Sequence, residues 1–414
     1  MSFKTICVIG LGYIGLPTAA VFASRKVSVI GVDISQHAVD TINRGKIHIV
    51  EPDLDILVHA TVKEGFLSAT TKPEKADAFV MAVPTPFKGE DHEPNLDYIE
   101  SATRALAKVL EKGNLVVLES TSPVGATEKM AAWLAEERPD LTFPQDAGED
   151  SDIRIAHCPE RVLPGHILRE LVENDRIIGG LTPKCTELAS QLYKIFVEGA
   201  CIATNARTAE MSKLTENASR DGQIAFANEL SILCDKMDID VWELISLANR
   251  HPRVDILQPG CGVGGHCIAV DPWFIVNQFP NDALMIKAAR ETNDGKPLFV
   301  ISKVEQAVKD IKSPKIACLG LAFKPDIDDL RESPALEITK LLSDNTGYKI
   351  LAVEPNIKYL PNVLANRKNV KLTTLEEALE SADIVVVLVK HKEFVSLKNT
   401  HDILDFVNTM DGNI

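Results

Sequence analysis

The sequence predicts an α/β protein: two doubly wound, Rossmann-like domains joined by a central, mainly helical region with one long helix. Three observations predict it. A glycine turn, Gly10-Leu-Gly12-Tyr-Ile-Gly15, stands between an apolar, β-branched run and an alanine-rich helical stretch. The strand pattern of the first third returns in the last third. Between them, Ala206 to Met237 is free of proline and rich in Ala, Leu, Glu and Lys. At about 32 residues such a helix spans roughly 48 Å, a length suited to linking domains. The expected boundaries are 1–203, 204–312 and 313–414.

Lys4 to Gly10 reads as a buried strand, Leu16 to Ser24 as a helix and Val27 to Val32 as a second strand ending in Asp33. In this βαβ unit Gly10 makes the turn, Gly12 admits a pyrophosphate and Gly15 allows close helix–strand packing. The helix N-terminus favours the phosphate anion. Asp33 is placed to accept hydrogen bonds from ribose hydroxyls, and no arginine follows it directly, so NAD is expected over NADP.

Ala76 to Val83 and Asn114 to Glu119 are further strands of this sheet, ending in Pro84-Thr85-Pro86 and Ser120-Thr121-Ser-Pro-Val-Gly125. Open α/β sheets bind ligands at strand C-termini. Thr85 and Thr121 therefore either line the nicotinamide side or serve turns and caps. Thr127 follows on the next helix, and Asp146 to Asp152 reads as a solvated acidic loop. Arg154 to Gly165 is a strand running into a turn that carries Glu160 and Arg161. One offers an acid or base and the other an anion contact, or both are surface ions.

On the long helix Lys213, Asn217 and Arg220 fall on one face, as a solvated stripe or as the wall of an anionic cleft. Gly222 costs about 1 kcal/mol relative to Ala there, so close packing is expected around it. A helix from Val241 to Asn249 precedes Arg250-His251-Pro-Arg253, and another runs from about Asp282 to Asp310 across Pro297. Lys315 to Gly320, Lys349 to Pro355 and Ala382 to Val389 are the strands of the last domain. Its turn, Gly320-Leu-Ala-Phe-Lys324-Pro-Asp, lacks the second and third glycines. It is not expected to hold a dinucleotide. Lys324 and Arg331 suit a nucleotide-linked substrate instead, although Asp326, Asp328 and Asp329 mix the charge.

The chain is 45% hydrophobic and 25% charged, ordinary for a globular protein, and its net charge of -15 argues against nucleic acid and membrane surfaces as partners. None of the eight cysteines forms a C-x-x-C pair, so no metal site is expected, and Cys7 and Cys318 lie in strand-like runs. No secretory leader is expected before the first strand, and no apolar run is long enough to span a bilayer. A reducing, cytoplasmic setting follows.

The remaining signal is Gly260-Cys-Gly-Val-Gly-Gly-His-Cys267, with Asp271 four residues on. Glycines let backbone approach a ligand, so Cys267 is either a nucleophile beside a turn or a small buried hydrophobe. With NAD, a thiol permits a four-electron oxidation. An alcohol becomes an aldehyde, the thiolate adds to it, a second hydride leaves a thioester, and water releases an acid.

The residues carry a resemblance at this point. The chain resembles the UDP-glucose/GDP-mannose 6-dehydrogenase family over nearly its full length. The motifs are Gly10 to Gly15, Ser120 to Gly125, Pro159-Glu160, Lys213-Leu-Thr-Glu-Asn217, Gly264-Gly-His-Cys267 with Asp271, and Ala322-Phe-Lys324-Pro-Asp followed by Arg331-Glu-Ser. The resemblance implies two NAD-linked oxidations at C6 of a UDP-sugar. Cys267 matches the nucleophile, Lys213 the proton donor or acceptor and oxyanion stabiliser, and Glu160 the acid that assists thioester hydrolysis. Asn217 and Asp271 match groups that support this centre, and Thr121 joins the catalytic set. Tyr13, Ile14, Asp33, Thr85, Thr127 and Arg331 match NAD contacts beside the three glycines. Arg161, Val162, Lys213, Asn217, Arg220, His251, Arg253, Gly264, Phe323 and Lys324 match UDP-sugar contacts. The family is typically dimeric through the central helices, which implies a homodimer with sites near the subunit interface.

Asn249 to Val254 and Gly265 to Trp273 are most similar to the branch that oxidises UDP-N-acetyl-D-mannosamine, whose product enters bacterial surface polysaccharides such as enterobacterial common antigen. UDP-N-acetylglucosamine and UDP-glucose are the alternative sugars. Ser219, Gly222, Cys261 and the C-terminal Asp405-Phe-Val-Asn depart from the family pattern, and Cys261 has no assigned role. Two other classes stay open. One is a two-electron hydroxy-acid dehydrogenase with a structural Cys267, and the other is a non-catalytic nucleotide-sugar sensor.

Overall fold

A computed structural model describes residues 3–89, 91–163, 165–395, 397 and 402–409. The chain divides into two compact units, 1–216 and 217–414, each with its own sheet.

The first unit holds β1 (Thr5–Ile9), β2 (Ser28–Val32), β3 (Leu67–Thr70) and β4 (Ala78–Met81), a small hairpin of β5 (Phe87–Lys88) and β6 (Glu93–Pro94), then β7 (Leu115–Leu118), β8 (Arg154–His157), β9 (Arg176–Gly180) and β10 (Cys201–Asn205). Outside the hairpin these make one eight-stranded sheet in the order β10-β9-β8-β7-β4-β1-β2-β3. All neighbours are parallel except β8 and β9. β1, β4 and β7 are apolar at nearly every position because both faces are covered. Successive residues serve opposite cores. Ile6 and Val8 pack with Val29, Val80 and Val117 on one side, while Cys7 and Ile9 pack with Phe79, Met81 and Leu118 on the other.

The strand order reverses between β1 and β4, which puts the ligand crevice of such a sheet at their C-terminal ends. The chain is tightest there. Gly10 has φ +90°, and a Cβ on it would stand 2.5 Å from the Ala82 carbonyl oxygen. A Cβ on Gly15 would stand 1.7 Å from the Gly10 carbonyl oxygen. Glycine is required at both places. The sequence reading assigned no strand to β9 or β10. β9 ends in Gly179-Gly180, where a Cβ on Gly179 would meet the Asn205 carbonyl oxygen at 2.2 Å, and these glycines interrupt the apolar pattern.

The Ala206–Met237 helix is continuous, as its composition predicted, and carries the chain from the first unit into the second. Gly222 within it does not match the expectation of close packing, because an added Cβ would meet nothing of this chain within 4 Å. The Val241–Ala248 helix starts at Asp240, whose carboxylate accepts from the Trp242 and Glu243 amides at 2.8 and 3.2 Å. The Leu284–Val308 helix continues through Pro297.

The second sheet contains β11 (Lys315–Leu319), β12 (Lys349–Val353), β13 (Val370–Leu372), β14 (Ile384–Val387) and β15 (Ile403–Asp405), parallel throughout in the order β13-β12-β11-β14-β15. Its order reverses between β11 and β14, where Gly320 has φ +96° and a Cβ would meet the Val389 Cβ at 2.4 Å. The two sheets thus repeat one design, as the sequence predicted. Among the described residues no helix is long and apolar enough to cross a membrane.

Gly15→Ala is expected to cost about 1–3 kcal/mol, because neither the turn nor the helix can yield without shifting backbone. A lower urea midpoint and weaker NAD binding are the readouts, and an unchanged midpoint would contradict the contact.

Candidate active site

In the first unit Asp33 closes β2. One carboxylate oxygen accepts from the Leu11 amide at 3.0 Å and the other from the Ser35 amide at 2.8 Å. The carboxylate therefore lies across the glycine turn at the crevice, partly open to solvent. Gly12 is exposed with nothing within 4 Å of its would-be Cβ, and half-buried Tyr13 and Ile14 follow it. A bare turn, a helix start and a ribose-directed acid fit NAD and oppose a 2′-phosphate. Thr85 donates its hydroxyl to the Thr121 carbonyl, which joins the loops after β4 and β7. Ser120 reinforces this with a bond to the Val83 carbonyl at 2.8 Å.

Thr127 is fully buried, and its hydroxyl donates to Glu210 at 2.6 Å. The Thr127 and Gly125 amides donate to the same carboxylate at 2.8 and 2.7 Å. Glu210 thus satisfies the first turn of the Ala126–Glu137 helix from 83 residues away. Burial pushes its carboxyl up, against those hydrogen bonds.

Glu160 is nearly buried. It accepts from the Arg161 amide at 2.6 Å and from the Arg176 guanidinium at 2.7 Å. The Arg161 side chain forms a two-point pair with Glu216, at 2.8 and 3.1 Å, and donates to the Asp175 carbonyl at 3.1 Å. Val162 packs against the core, and Glu51 pins the loop beyond it through the Gly165 and Ile167 amides at 2.9 and 2.8 Å. Lys213 is half-buried on the long helix.

In the second unit the structure brings Asn217, Cys267 and Asp271 together. The half-buried Cys267 accepts at its carbonyl from the Val270 and Asp271 amides, 3.0 and 2.8 Å, in the turn that opens the Asp271–Gln278 helix. Buried Asp271 accepts from Asn217 Nδ2 at 2.5 Å. The glycines before Cys267 let the loop lie on the second nucleotide turn. A Cβ on Gly264 would be 2.7 Å from Phe323 Cβ, one on Gly265 would be 2.9 Å from the Phe323 ring, and the Gly265 amide donates to the Arg331 carbonyl at 3.0 Å. Lys324 is half-buried beside Phe323, and Arg331 pairs with Asp329 at 2.6 Å. Arg220, His251 and Arg253 are exposed, with the Arg253 amide donating to His251 Nδ1 at 3.3 Å.

Cys261 belongs to the core beside Val300 and Val304, where burial pushes its thiol up to about 12 against the Lys296 charge. It packs as a hydrophobe, which accounts for the residue left without a role. The loop that follows it is anchored by a buried relay that sequence reasoning missed. The Gly260 amide donates to Asn228 at 2.9 Å, Asn228 to Asn293 at 2.9 Å, and Asn293 and Arg290 to Asp221 at 2.7 and 2.6 Å.

The second turn has its own anchor. Glu354, at the end of β12, accepts from the Leu321 and Ala322 amides at 2.8 and 3.0 Å and lies 3.0 Å from His391 Nε2. His391 is fully buried and accepts at Nδ1 from the Asp326 amide at 2.9 Å, so Nε2 carries the proton given to Glu354. Burial alone would raise Glu354, but the bonds from His391 and Leu321 carry its carboxyl below the ordinary range. Asp326, His391 and Glu393 place ligand-type atoms within 4.8 Å of one another. In this arrangement the His391 Nδ1 lone pair accepts the Asp326 amide and Nε2 faces Glu354.

Fold and site define a dehydrogenase with one NAD-binding sheet and a second sheet suited to a nucleotide-linked substrate. The sequence profile for the UDP-glucose/GDP-mannose dehydrogenase family, NAD binding domain, matches residues 4–197. The central-domain profile of the same family matches 207–295 and its UDP binding domain 317–412. The chain is 72% identical over 397 residues to the UDP-N-acetyl-D-mannosamine dehydrogenase of Campylobacter jejuni, covering 96% of this chain and 98% of that one. It is 64% identical over 397 residues to the NDP-N-acetyl-D-galactosaminuronic acid dehydrogenase of Ralstonia nicotianae, covering 96% and 93%. Among solved structures, the UDP-D-ManNAc dehydrogenase of Pyrococcus horikoshii aligns with TM-score 0.87 at 39% identity, covering 99% of this chain and 96% of that one. The chain belongs to the UDP-glucose/GDP-mannose dehydrogenase family and is an NAD-dependent UDP-sugar dehydrogenase.

His391→Ala would take away the acceptor of the Asp326 amide and one of three donors to Glu354 Oε2, which keeps the Leu321 and Ala322 amides, at a cost of about 1–3 kcal/mol for the unpaired amide. The expected result is a KM for UDP-sugar raised by roughly tenfold or more, with the KM for NAD unchanged. Equal rises in both would show general loosening instead.

Proposed function

We propose that this enzyme oxidises C6 of UDP-N-acetyl-D-mannosamine to the uronate in two successive steps, with Cys267 as the covalent anchor. The observation that carries this is the grouping of Cys267 with the Asp271–Asn217 pair, on a glycine loop resting against Phe323 and Arg331. The sugar is assigned from the Campylobacter jejuni and Pyrococcus horikoshii relatives, both named for it. Asp33, the glycine turn, Thr85 and Arg331 serve NAD and Thr121 belongs to the catalytic set, whereas Thr127, expected as an NAD contact, is buried with its hydroxyl on Glu210 and holds the helix start instead. Arg161, Val162, Arg220, His251, Arg253, Gly264, Phe323 and Lys324 serve the UDP-sugar. Residues 1–203, 204–312 and 313–414 divide the work as NAD-binding, central and UDP-binding domains.

Bound NAD supplies the hydride acceptor for each oxidation. Lys213 takes the proton of the C6 hydroxyl in the first step and faces its developing charge. Asn217 gives one N–H to Asp271 and has a second to offer the C6 oxygen. Cys267 Sγ then adds to the aldehyde carbon, its thiol proton passing to the carbonyl oxygen, to give a thiohemiacetal. Loss of a second hydride from carbon together with the hydroxyl proton leaves a thioester. Glu160 takes a proton from the attacking water, the C–S bond breaks, and the acid departs with the thiol restored. Per sugar, one water is consumed and two hydrides leave carbon.

The relative from Ralstonia nicotianae favours a second reading, the same chemistry on an N-acetylgalactosamine nucleotide. We place the enzyme in the cytoplasm, feeding surface polysaccharide of the enterobacterial common antigen type. We also propose a homodimer through the central helices. Phe226, Leu233 and Met237 are exposed at helical spacing after Gly222, which has no neighbour of its own chain at its Cβ position, and Leu247 is exposed nearby in sequence.

Turnover of UDP-N-acetyl-D-mannosamine should yield about two NADH per sugar, and Cys267→Ser should lower acid formation by at least about 100-fold while still binding UDP-sugar. One NADH per sugar, or full activity in Cys267→Ser, would sink the covalent route. A much better rate on UDP-glucose or on UDP-N-acetylgalactosamine would reassign the sugar.

A further inference from the structure

Three charged side chains meet in the interior of the first unit: Glu119 after β7, Arg176 at the start of β9 and Glu160 after β8. They are 1%, 1% and 6% exposed. The proposed chemistry uses only Glu160. Arg176 NH1 is 2.7 Å from Glu160 Oε2 and 3.8 Å from Glu119 Oε1. Its guanidinium lies 5.4 Å from the Tyr193 ring and 6.0 Å from the Phe196 ring, and its Nε and other terminal nitrogen have no hydrogen-bond partner among the described residues. Glu119 receives only weak bonds, from the Tyr193 hydroxyl at 3.2 Å and the Thr18 hydroxyl at 3.4 Å. Fully buried Cys158 is the remaining titratable neighbour.

Two carboxyl groups therefore share one guanidinium in a buried site. With both ionised, the cluster carries an uncompensated negative charge, which is costly there. We propose that Glu119 and Arg176 are positioning residues for Glu160: Arg176 aims the Glu160 carboxylate, and Glu119 competes for the same guanidinium. This rests on Glu160 being the base of thioester hydrolysis.

The geometry decides which acid holds the proton. Glu160 has the short bonds from Arg176 and the Arg161 amide. Burial first, and the Glu160 charge second, push the Glu119 carboxyl up to about 8. While Glu119 is protonated, Arg176 stays with Glu160. Once Glu119 ionises, the guanidinium is divided and Glu160 is no longer held in one orientation. Hydrolysis should then slow, whereas the first oxidation does not involve Glu160. Stability follows the same proton. The folded state retains it where the unfolded chain, near the ordinary value of 4.5, has released it. Stability from this group is full below about 4.5 and is lost as pH rises through about 8.

The test is acid formation by the full-length enzyme with UDP-N-acetyl-D-mannosamine and NAD across neutral and alkaline pH, with mass analysis of Cys267. Wild type should lose rate above about pH 8 and accumulate the Cys267 thioester. The expected loss approaches about tenfold per pH unit. Glu119→Gln, a mimic of the protonated acid, should lose less than about twofold over the same unit. Tyr193→Phe removes a donor to ionised Glu119 and should move the fall to higher pH. If Glu119→Gln superimposes on wild type, the inference is wrong. If that variant does not fold, an unmoved fall in Tyr193→Phe overturns it equally. Glu160→Gln separates the two layers. Thioester in that variant at every pH, with an unaltered Glu119→Gln profile, removes the positioning role alone. Normal acid formation by Glu160→Gln removes the reading of Glu160 and this inference with it.

Discussion

Close backbone approach at the end of the first strand of each sheet is the constraint on which both nucleotide sites depend. Gly10 turns 2.5 Å, measured from a would-be Cβ, from the Ala82 carbonyl, and Gly320 turns 2.4 Å from the Val389 side chain. Any Cβ at either place pushes the turn off the neighbouring strand and opens the crevice where the strand order reverses. Helix packing, the Asp33 and Glu354 contacts and the loops after β4 and β14 are all arranged around these two turns. The Cys267 loop uses the same device a third time, with Gly264 and Gly265 lying against Phe323.

Around these turns the protein spends buried polar groups freely. Glu51, Glu119, Glu160, Glu210, Asp221, Arg176 and Arg290 are all at most 6% exposed. Apolar residues of similar size would often stabilise a fold as well as or better than such pairs. Their distribution gives them a different meaning. Glu51 holds the loop after Glu160, Glu210 the turn before Thr127, and Asp221, through Asn293 and Asn228, the start of the Cys267 loop. Each fixes irregular backbone that carries a residue assigned to the site. Loops of this kind have no periodic hydrogen bonds of their own, so side chains must supply the order that a helix or sheet would supply elsewhere.

Much of the fold was legible because it rests on local pattern. β1, β4, β7, β11 and β14 are short apolar runs bounded by turn residues, and the long helix is legible by the absence of any breaker. Asp33, Cys267 and Asp271 are marked out by motif spacing, and the structure puts Asp33 against the glycine turn and Cys267 and Asp271 in one turn. What holds them was not legible. Glu51 and Ile167 are 116 residues apart, Thr127 and Glu210 83, and Arg290 and Asp221 69. Periodicity carries no information about such pairs. Thr127 shows the limit well: its place at a helix start was readable, but not that its hydroxyl is committed to Glu210. β9 and β10 were missed because their pairing relies on Gly179 and Gly180, residues that count against a strand when read alone.

The two sheets also show how one added methylene changes the use of a turn. Both carry an acid after the second strand, Asp33 in one and Glu354 in the other. Asp33 reaches a single amide of its turn, Leu11, and one of its own loop, Ser35, and stays partly exposed. Glu354 reaches further, takes the Leu321 and Ala322 amides together with His391, and is 4% exposed. The shorter acid is left facing the crevice, able to meet a ribose. The longer one is consumed within the protein, so the second turn presents the Phe323 ring and the Lys324 cation instead. One strand order thus supports two different nucleotide sites, and the choice lies in where the carboxylate ends.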